Sequence, residues 1–207
     1  MTAKLDKLTK LVDSPVGDQA DSLLEIVLKN PYVSQIIQNN SFPGGEPWYL
    51  GAGCICQSVW NYLSDKKPED GIKDYDLVYY DAKDLSKEAE LKQQQRIKAI
   101  FSNLSVEVDV VNEARVHIWF EKDFGKKIDQ LKSCEDAING WPTTATSVGI
   151  NKIEDKFNVY APYGLNDLFG MVIRPNKPSV IKWVYEKKVE KWTKIWPNLK
   201  VIPWGQI

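Results

Sequence analysis

Two aspartates, Asp74 and Asp76, head the apolar run Asp74-Tyr-Asp-Leu-Val-Tyr-Tyr-Asp81. Successive side chains on a strand point to opposite faces, so Tyr75, Leu77 and Tyr79 go one way and both carboxylates the other. The chain must therefore build a sheet with an apolar layer on one face and an environment for two like charges on the other. Just before this strand, Trp48-Tyr-Leu50 reads as a short strand and Gly51-Ala-Gly53 as a turn. Cys54 to Leu63 reads as a helix with Ile55, Val59 and Leu63 on one face. The order is thus strand, glycine turn, helix, acidic strand. A helix N-terminus offers free N–H groups and the positive end of the dipole to an anion. Glycine allows close backbone approach to such an anion. A tight turn needing positive φ explains the same glycines equally well.

A third carboxylate belongs to this pattern. Val106-Glu-Val-Asp-Val-Val111 alternates as a strand, with Asp109 set among valines. A mid-strand aspartate has no turn to serve, and in a central strand it must be paired or liganded. If the two acidic strands are neighbours, Asp74, Asp76 and Asp109 converge. Hard oxygen ligands on a rigid sheet suit Mg²⁺ or Mn²⁺, which also take substrate phosphate oxygens. Two such ions about 3.5–4 Å apart hold the attacking and leaving oxygens of a phosphoryl displacement. Glu107 shares the face of Asp109 and is either a competing ligand or an exposed edge residue. The glycine turn complements the carboxylates, because one element would hold phosphates and the next a bridging metal.

The remaining chain reads as alternating helices and strands. Leu5, Leu8, Leu11 and Val12 recur at helical spacing. Leu23 to Leu28 forms a second helix stopped by Pro31, and Asn30 caps a third that begins at Pro31. Residues 1–40 are accordingly expected as a helical segment packed on a domain spanning 41–207. The breakers of 42–47 mark a loop. Leu85 to Phe101 is a charged amphipathic helix. Val116-His-Ile-Trp-Phe120 reads as a strand pairing with 106–111 in a hairpin, which places Arg115, His117 and Trp119 on one face beside Asp109. Ser133 to Asn139 is a helix with Gly140 at its end. Thr144 to Ile150 and Phe157 to Tyr160 form a second hairpin, and Gly164 to Phe169 a short helix. The Lys-rich helix from Ser179 to Trp192 reads as a solvated face with Trp183, Val184 and Trp192 buried, the alternative being that Lys182 to Lys194 touches an acidic partner. Helices and strands without strict βαβ alternation imply an α+β fold with a mixed sheet flanked by helices.

Composition removes several chemistries. One histidine, His117, in 207 residues excludes His-rich zinc sites and H-E-x-x-H metalloproteases. Three cysteines, with Cys54 and Cys56 one residue apart, make neither a disulfide framework nor a C-x-x-C motif, and reduced thiols are expected. A net charge of −1 is not the footprint of an extended nucleic-acid surface. The N-terminus has no apolar signal region, and no run approaches the roughly 18 apolar residues of a membrane span. A cytoplasmic protein is expected.

The acidic pattern resembles the polymerase-β-like nucleotidyltransferase superfamily. Five further blocks narrow the resemblance: Tyr49-Leu-Gly-Ala-Gly53 with Gln57-Ser-Val-Trp-Asn61, Gly71-Ile-Lys-Asp-Tyr-Asp-Leu-Val78, Val108-Asp-Val-Val-Asn-Glu-Ala-Arg-Val-His117, Trp141-Pro-Thr-Thr-Ala-Thr146, and Tyr160-Ala-Pro-Tyr-Gly-Leu-Asn-Asp-Leu-Phe169. Together they look like an uncharacterised nucleotidyltransferase-like family of bacteria and fungi. The resemblance implies Asp74, Asp76 and Asp109 as catalytic metal ligands and Gly51, Ala52 and Gly53 as the phosphate turn. The superfamily usually has Gly-Ser or Gly-Gly at the turn, where this chain has Gly-Ala-Gly followed by Cys54. The interval from Gly53 to Asp74 is also longer than usual. Gln57 or Ser58 would then replace the serine contact. Arg115 is a candidate for a bidentate phosphate contact. Thr143 and Thr144 are candidates for bonding a base or sugar, and Trp141 for stacking on a base, although threonine and tryptophan also serve strands and cores. The implied activity is metal-dependent nucleotidyl transfer from an NTP to an acceptor, which is a small molecule, a protein or an RNA end. The competing expectation is a non-catalytic nucleotide- or partner-binding protein using the same cleft.

Overall fold

A computed structural model of the chain describes residues 10–39, 47–177 and 180–206. Leu5 and Leu8 of the first expected helix, most of the 42–47 loop and Ser179 lie outside the described residues. The fold is α+β. Helices α1 (Val16–Val27) and α2 (Pro31–Ile37) precede β1 (Trp48–Gly51), α3 (Gly53–Leu63), β2 (Asp74–Tyr79), α4 (Lys87–Ile100) and β3 (Glu107–Asn112). Then come a 3-10 turn (Glu113–Arg115), α5 (Val116–Phe124), α6 (Cys134–Asn139), a second 3-10 turn (Thr144–Thr146), β4 (Gly149–Ile153) and β5 (Lys156–Tyr160). The chain closes with α7 (Asn166–Phe169), β6 (Val172–Ile173), α8 (Lys182–Ile195) and β7 (Lys200–Val201).

Five strands form one sheet in the order β3-β2-β1-β4-β5, and β6 pairs with β7 separately. The sheet is mixed: β2 and β3 run parallel, while β1 is antiparallel to both β2 and β4. A parallel neighbour requires a crossover, and α4 supplies it. Tyr75, Leu77, Val108 and Val110 enter the main core with α1, α2, α3 and α8, through Leu23, Val33, Ile36, Val59, Trp60 and Trp192. The opposite face carries a smaller cluster of Tyr49, Val78, Cys134 and Ile138, flanked by Trp141 and Tyr160.

Asn30 adds a polar tie between the early helices and this core. Asn30 accepts from the N–H groups of Tyr32 and Val33, as its cap position predicts. Its amide nitrogen donates to Ser58 Oγ at 3.0 Å and Tyr75 Oη at 3.2 Å, joining α2 to α3 and β2. The tryptophans have a parallel role. Trp60 meets Trp192 and Trp196 edge-on at 5.4 and 5.5 Å, and Trp196 Nε1 donates to Asn61 Oδ1 at 2.8 Å. These contacts fix the C-terminal segment to α3.

Two local expectations are corrected. Val116–Phe120 is helical, so β3 has no hairpin partner there, and Arg115, His117 and Trp119 do not share a strand face. The side chain of Asn112 accepts from Ala114 N–H and turns the chain out of the sheet. The following apolar pattern then takes helical period, placing Val116, Trp119, Phe120 and Phe124 along one wall, and Gly125 at φ 72° ends the helix. The second hairpin forms between Gly149–Ile153 and Lys156–Tyr160, but Thr144–Thr146 is a 3-10 turn, with Thr143 accepting from Thr146 N–H. No helix among the described residues is long and apolar enough to cross a membrane.

Candidate active site

Strand register brings the acidic residues to one face. Asp76 stands level with Asp109 across β2 and β3, and Asp74 level with Glu107. On the other side Asp76 is level with Gly51, the last residue of β1. The chain then turns at Ala52 into α3, so the helix N-terminus opens beside Asp76. These elements border a cleft of about 870 Å³ lined by Ala52, Gly53, Gln57, Asp74 and Asp76, among others.

The turn is crowded and strained. A Cβ on Gly51 would lie 2.5 Å from Trp141 Cη2 and 2.9 Å from Val148 O, so only glycine lets the indole cross the strand end. A Cβ on Gly53 would meet Gln57 Nε2 at 2.7 Å. Ala52 has φ 54° and ψ −123°, a conformation that costs a non-glycine residue of order 1–3 kcal/mol. Ala52 N–H donates to Val148 O at 3.1 Å, which holds the turn against β4. Glycine would suit this turn better than alanine, and the strain falls at the helix start that borders the cleft.

The electrostatics are those of an acidic floor opposed by two lysines. Burial and then the Asp74 carboxylate push Asp76 up to about 7, with Asp109 adding to the rise and Lys188 and Lys191 opposing it. Lys188 is itself held down by burial, and Asp76 partly restores it. Both lysines belong to α8 and line the cleft, and neither forms an ion pair with a described residue. Lys188 Nζ lies 5.4 Å from the Trp192 ring centre. Cys54 and Cys56 are fully buried and burial pushes both thiols up, which makes them poor nucleophiles.

The sequence candidates separate into three groups. Ala52, Gly53, Gln57, Asp74 and Asp76 line the cleft, and Gly51 lies beneath the Trp141 that also lines it. Asp109 is exposed on the edge strand beside Asp76 and is not among the lining residues. The three aspartates share a face, but their carboxylates are not drawn to one point. Among the described residues no group of three metal-ligating side chains is close enough to hold an ion. Their chemistry still fits Mg²⁺: all donors are hard oxygens, and their mutual repulsion calls for a cation. Glu107 is exposed, with Oε1 3.8 Å from Lys98 Nζ.

Arg115, Thr143 and Thr144 are placed elsewhere. Arg115 is buried, forms an ion pair with Glu90 and donates to Leu85 O. Thr143 is buried, with its hydroxyl 2.8 Å from that of Thr146. Thr144 donates to Asp167 Oδ2 at 2.5 Å, and Arg174 also holds that carboxylate. These groups already have partners within the fold, and none of the three lines the cleft.

The sequence reading passed over Lys188, Lys191, Glu113 and the α5 wall. A signal existed for Lys188: it lies on one helical stripe with Tyr185 and Trp192, both buried. A lysine on a buried stripe must reach water or an anion. Val116–Phe120 fits a strand period as well as a helical one, and Glu113 falls in the connection before it, so neither carries a local signal.

A family model described as nucleotidyltransferase matches residues 45–201. A solved structure, an NMR structure of a protein described as revealing a CCA-adding enzyme head domain, superposes with a TM-score of 0.71 and 25% sequence identity, covering 88% of this chain and 95% of that one. No curated protein matches the chain.

Proposed function

The chain belongs to the nucleotidyltransferase family, and from that premise we propose that it transfers a nucleotidyl group from an NTP to an acceptor hydroxyl. The acceptor oxygen bonds to the α-phosphorus, the bond from that phosphorus to the bridging oxygen breaks, and pyrophosphate leaves. The observation that carries this reading is the strand register: Gly51, Asp76 and Asp109 lie level on three adjacent strands, beside the opening of α3. Asp74, Asp76 and Asp109 would hold Mg²⁺ or Mn²⁺, which when bound neutralises triphosphate charge and polarises the reacting phosphorus. The Gly51–Gly53 turn and the first N–H groups of α3 cradle phosphate oxygens. Lys188 and Lys191 face them across the cleft and offset the charge that grows on the leaving pyrophosphate. Asp109, level with Asp76, assists in taking the proton of the attacking hydroxyl. The acceptor is a small molecule, a protein or an RNA end.

The test is calorimetric titration of a non-hydrolysable NTP analogue with and without Mg²⁺, on the wild type and on Asp74→Ala/Asp76→Ala. Metal-dependent binding is expected for the wild type only. Equal metal-dependent binding by both proteins refutes the metal assignment. Incubating the wild type with α-labelled NTPs and fractionated cell extract then identifies the acceptor. Nucleotide binding with no label transferred under either metal favours a binding protein over an enzyme.

A further inference from the structure

We propose that Glu113 recognises the nucleoside of the bound nucleotide, its carboxyl accepting a hydrogen bond from a base N–H or a ribose O–H. This rests on the reading that the cleft holds an NTP. Glu113 is only 5% exposed, yet it lines the cleft. Its side chain has no hydrogen-bond or ion-pair partner among the described residues. Burying a carboxyl without a partner is costly, and buried polar groups are nearly always satisfied. The neighbouring buried charge shows the contrast, since Arg115 is engaged by Glu90 and by Leu85 O.

The backbone fixes Glu113 in this position. Asn112 accepts from Asp81 N–H and Ala114 N–H and donates to Asp81 O, clamping the chain on both sides of the turn. These three hydrogen bonds hold the backbone on which Glu113 sits. A carboxyl buried at the wall of a cleft and left unpartnered is arranged for a ligand.

Its distance from the metal end selects the nucleoside over the phosphates. Glu113 opens the 3-10 turn one residue beyond the Tyr79–Asn112 level, which is three levels and roughly 10 Å of strand past the level of Asp76 and Asp109. Val78 and Val111 line the cleft between the two levels. Trp119 and Phe120 of α5 and Trp141 line the same cleft and offer planar surfaces to a base. Burial, and then Asp76, push the Glu113 carboxyl up to about 8. At neutral pH it accordingly presents one donor and one acceptor, which matches the paired donor and acceptor of a base edge or the two-way bonding of a ribose hydroxyl.

The experiment measures tryptophan-fluorescence titrations of the full chain with ATP, CTP, GTP and UTP and their 2′-deoxy forms, in Mg²⁺ without acceptor. Glu113→Leu is expected to weaken binding about tenfold or more and to flatten the wild-type preference among bases or for the 2′-hydroxyl. Loss of base preference identifies a base contact, and loss of 2′-hydroxyl preference a ribose contact. Glu113→Gln keeps one donor and one acceptor and is expected to remain within a few-fold of wild type. Glu113→Ala carries the same expectation as leucine and covers the case in which leucine does not fit. Wild-type affinities and preferences in Glu113→Leu or Glu113→Ala overturn the assignment while the nucleotide site stands. Failure of the wild type to bind any nucleotide overturns both.

Discussion

Removing the Asp76 charge should stabilise the metal-free protein at neutral and alkaline pH while destroying the site. Asp76 has a folded pKa of about 7 against an ordinary 3.8. Between those values the folded chain keeps a proton that the unfolded chain has lost, so stability falls as pH rises through this window. Above pH 7 the full cost is present, on the order of 4 kcal/mol at 1.36 kcal/mol per pKa unit. Asp76 is half-buried, and Lys188 can move to meet a full negative charge, so about 2–3 kcal/mol is the realistic gain for Asp76→Asn. In a chain of this length each kcal/mol shifts the melting temperature by about 2–4 °C. Thermal and urea melts of both proteins from pH 4 to 9 in chelator provide the assay. The curves should coincide near pH 4, separate between pH 4 and 7, and run parallel above. Added Mg²⁺ should then raise the wild-type melting temperature and leave Asp76→Asn unmoved. A pH-independent difference, or an asparagine variant less stable at pH 8, refutes the argument that this carboxylate is held against its preference.

Two further predictions follow from neighbouring features. Lys188→Met keeps the side-chain bulk but removes the cation, and should weaken NTP binding about tenfold to a hundredfold by losing a charge-assisted contact; unchanged affinity in titration would remove Lys188 from the phosphate site. Asn61→Ala leaves Trp196 Nε1 without its acceptor and the Asp70 carbonyl without its donor, and it removes one of the two donors to the Pro68 carbonyl, the other being Asn30. It should cost about 1–3 kcal/mol, read as a lower urea midpoint, and a wild-type midpoint would refute the role given to that network.

Regular alternation was the part of the sequence easiest to read. The β2 pattern placed Asp74 and Asp76 opposite a wall of Tyr75, Leu77 and Tyr79, and the structure has that arrangement. The Asn30 cap and the strand–turn–helix order at 48–63 were legible for the same reason, since each depends on a few adjacent residues. The segment after Asn112 was not legible. Val-His-Ile-Trp-Phe satisfies both a two-residue and a 3.6-residue period, and the choice was made by the Asn112 side chain and by β3 pairing with β2. Arg115 shows the limit for single residues. Its charge suited a phosphate, but Glu90, 25 positions earlier, reached it first through the packing of α4 on β3. Lys188 shows the converse, because a distant tryptophan cluster decides which lysines of α8 turn towards the aspartates.

The position of that cluster in the chain also bears on how the protein is made. Asp74 and Asp76 emerge from the ribosome more than a hundred residues before Lys188, and the contacts that seat Lys188 run through Trp192 and Trp196, later still. A nascent chain can therefore pair β1 with β2 while its acidic face has no lysine opposite it. The sheet must tolerate that repulsion until α8 docks. Docking of α8 thus brings the counter-charge to the acidic face, and loss of residues 192–207 would leave the aspartates in place without the tryptophans that seat it.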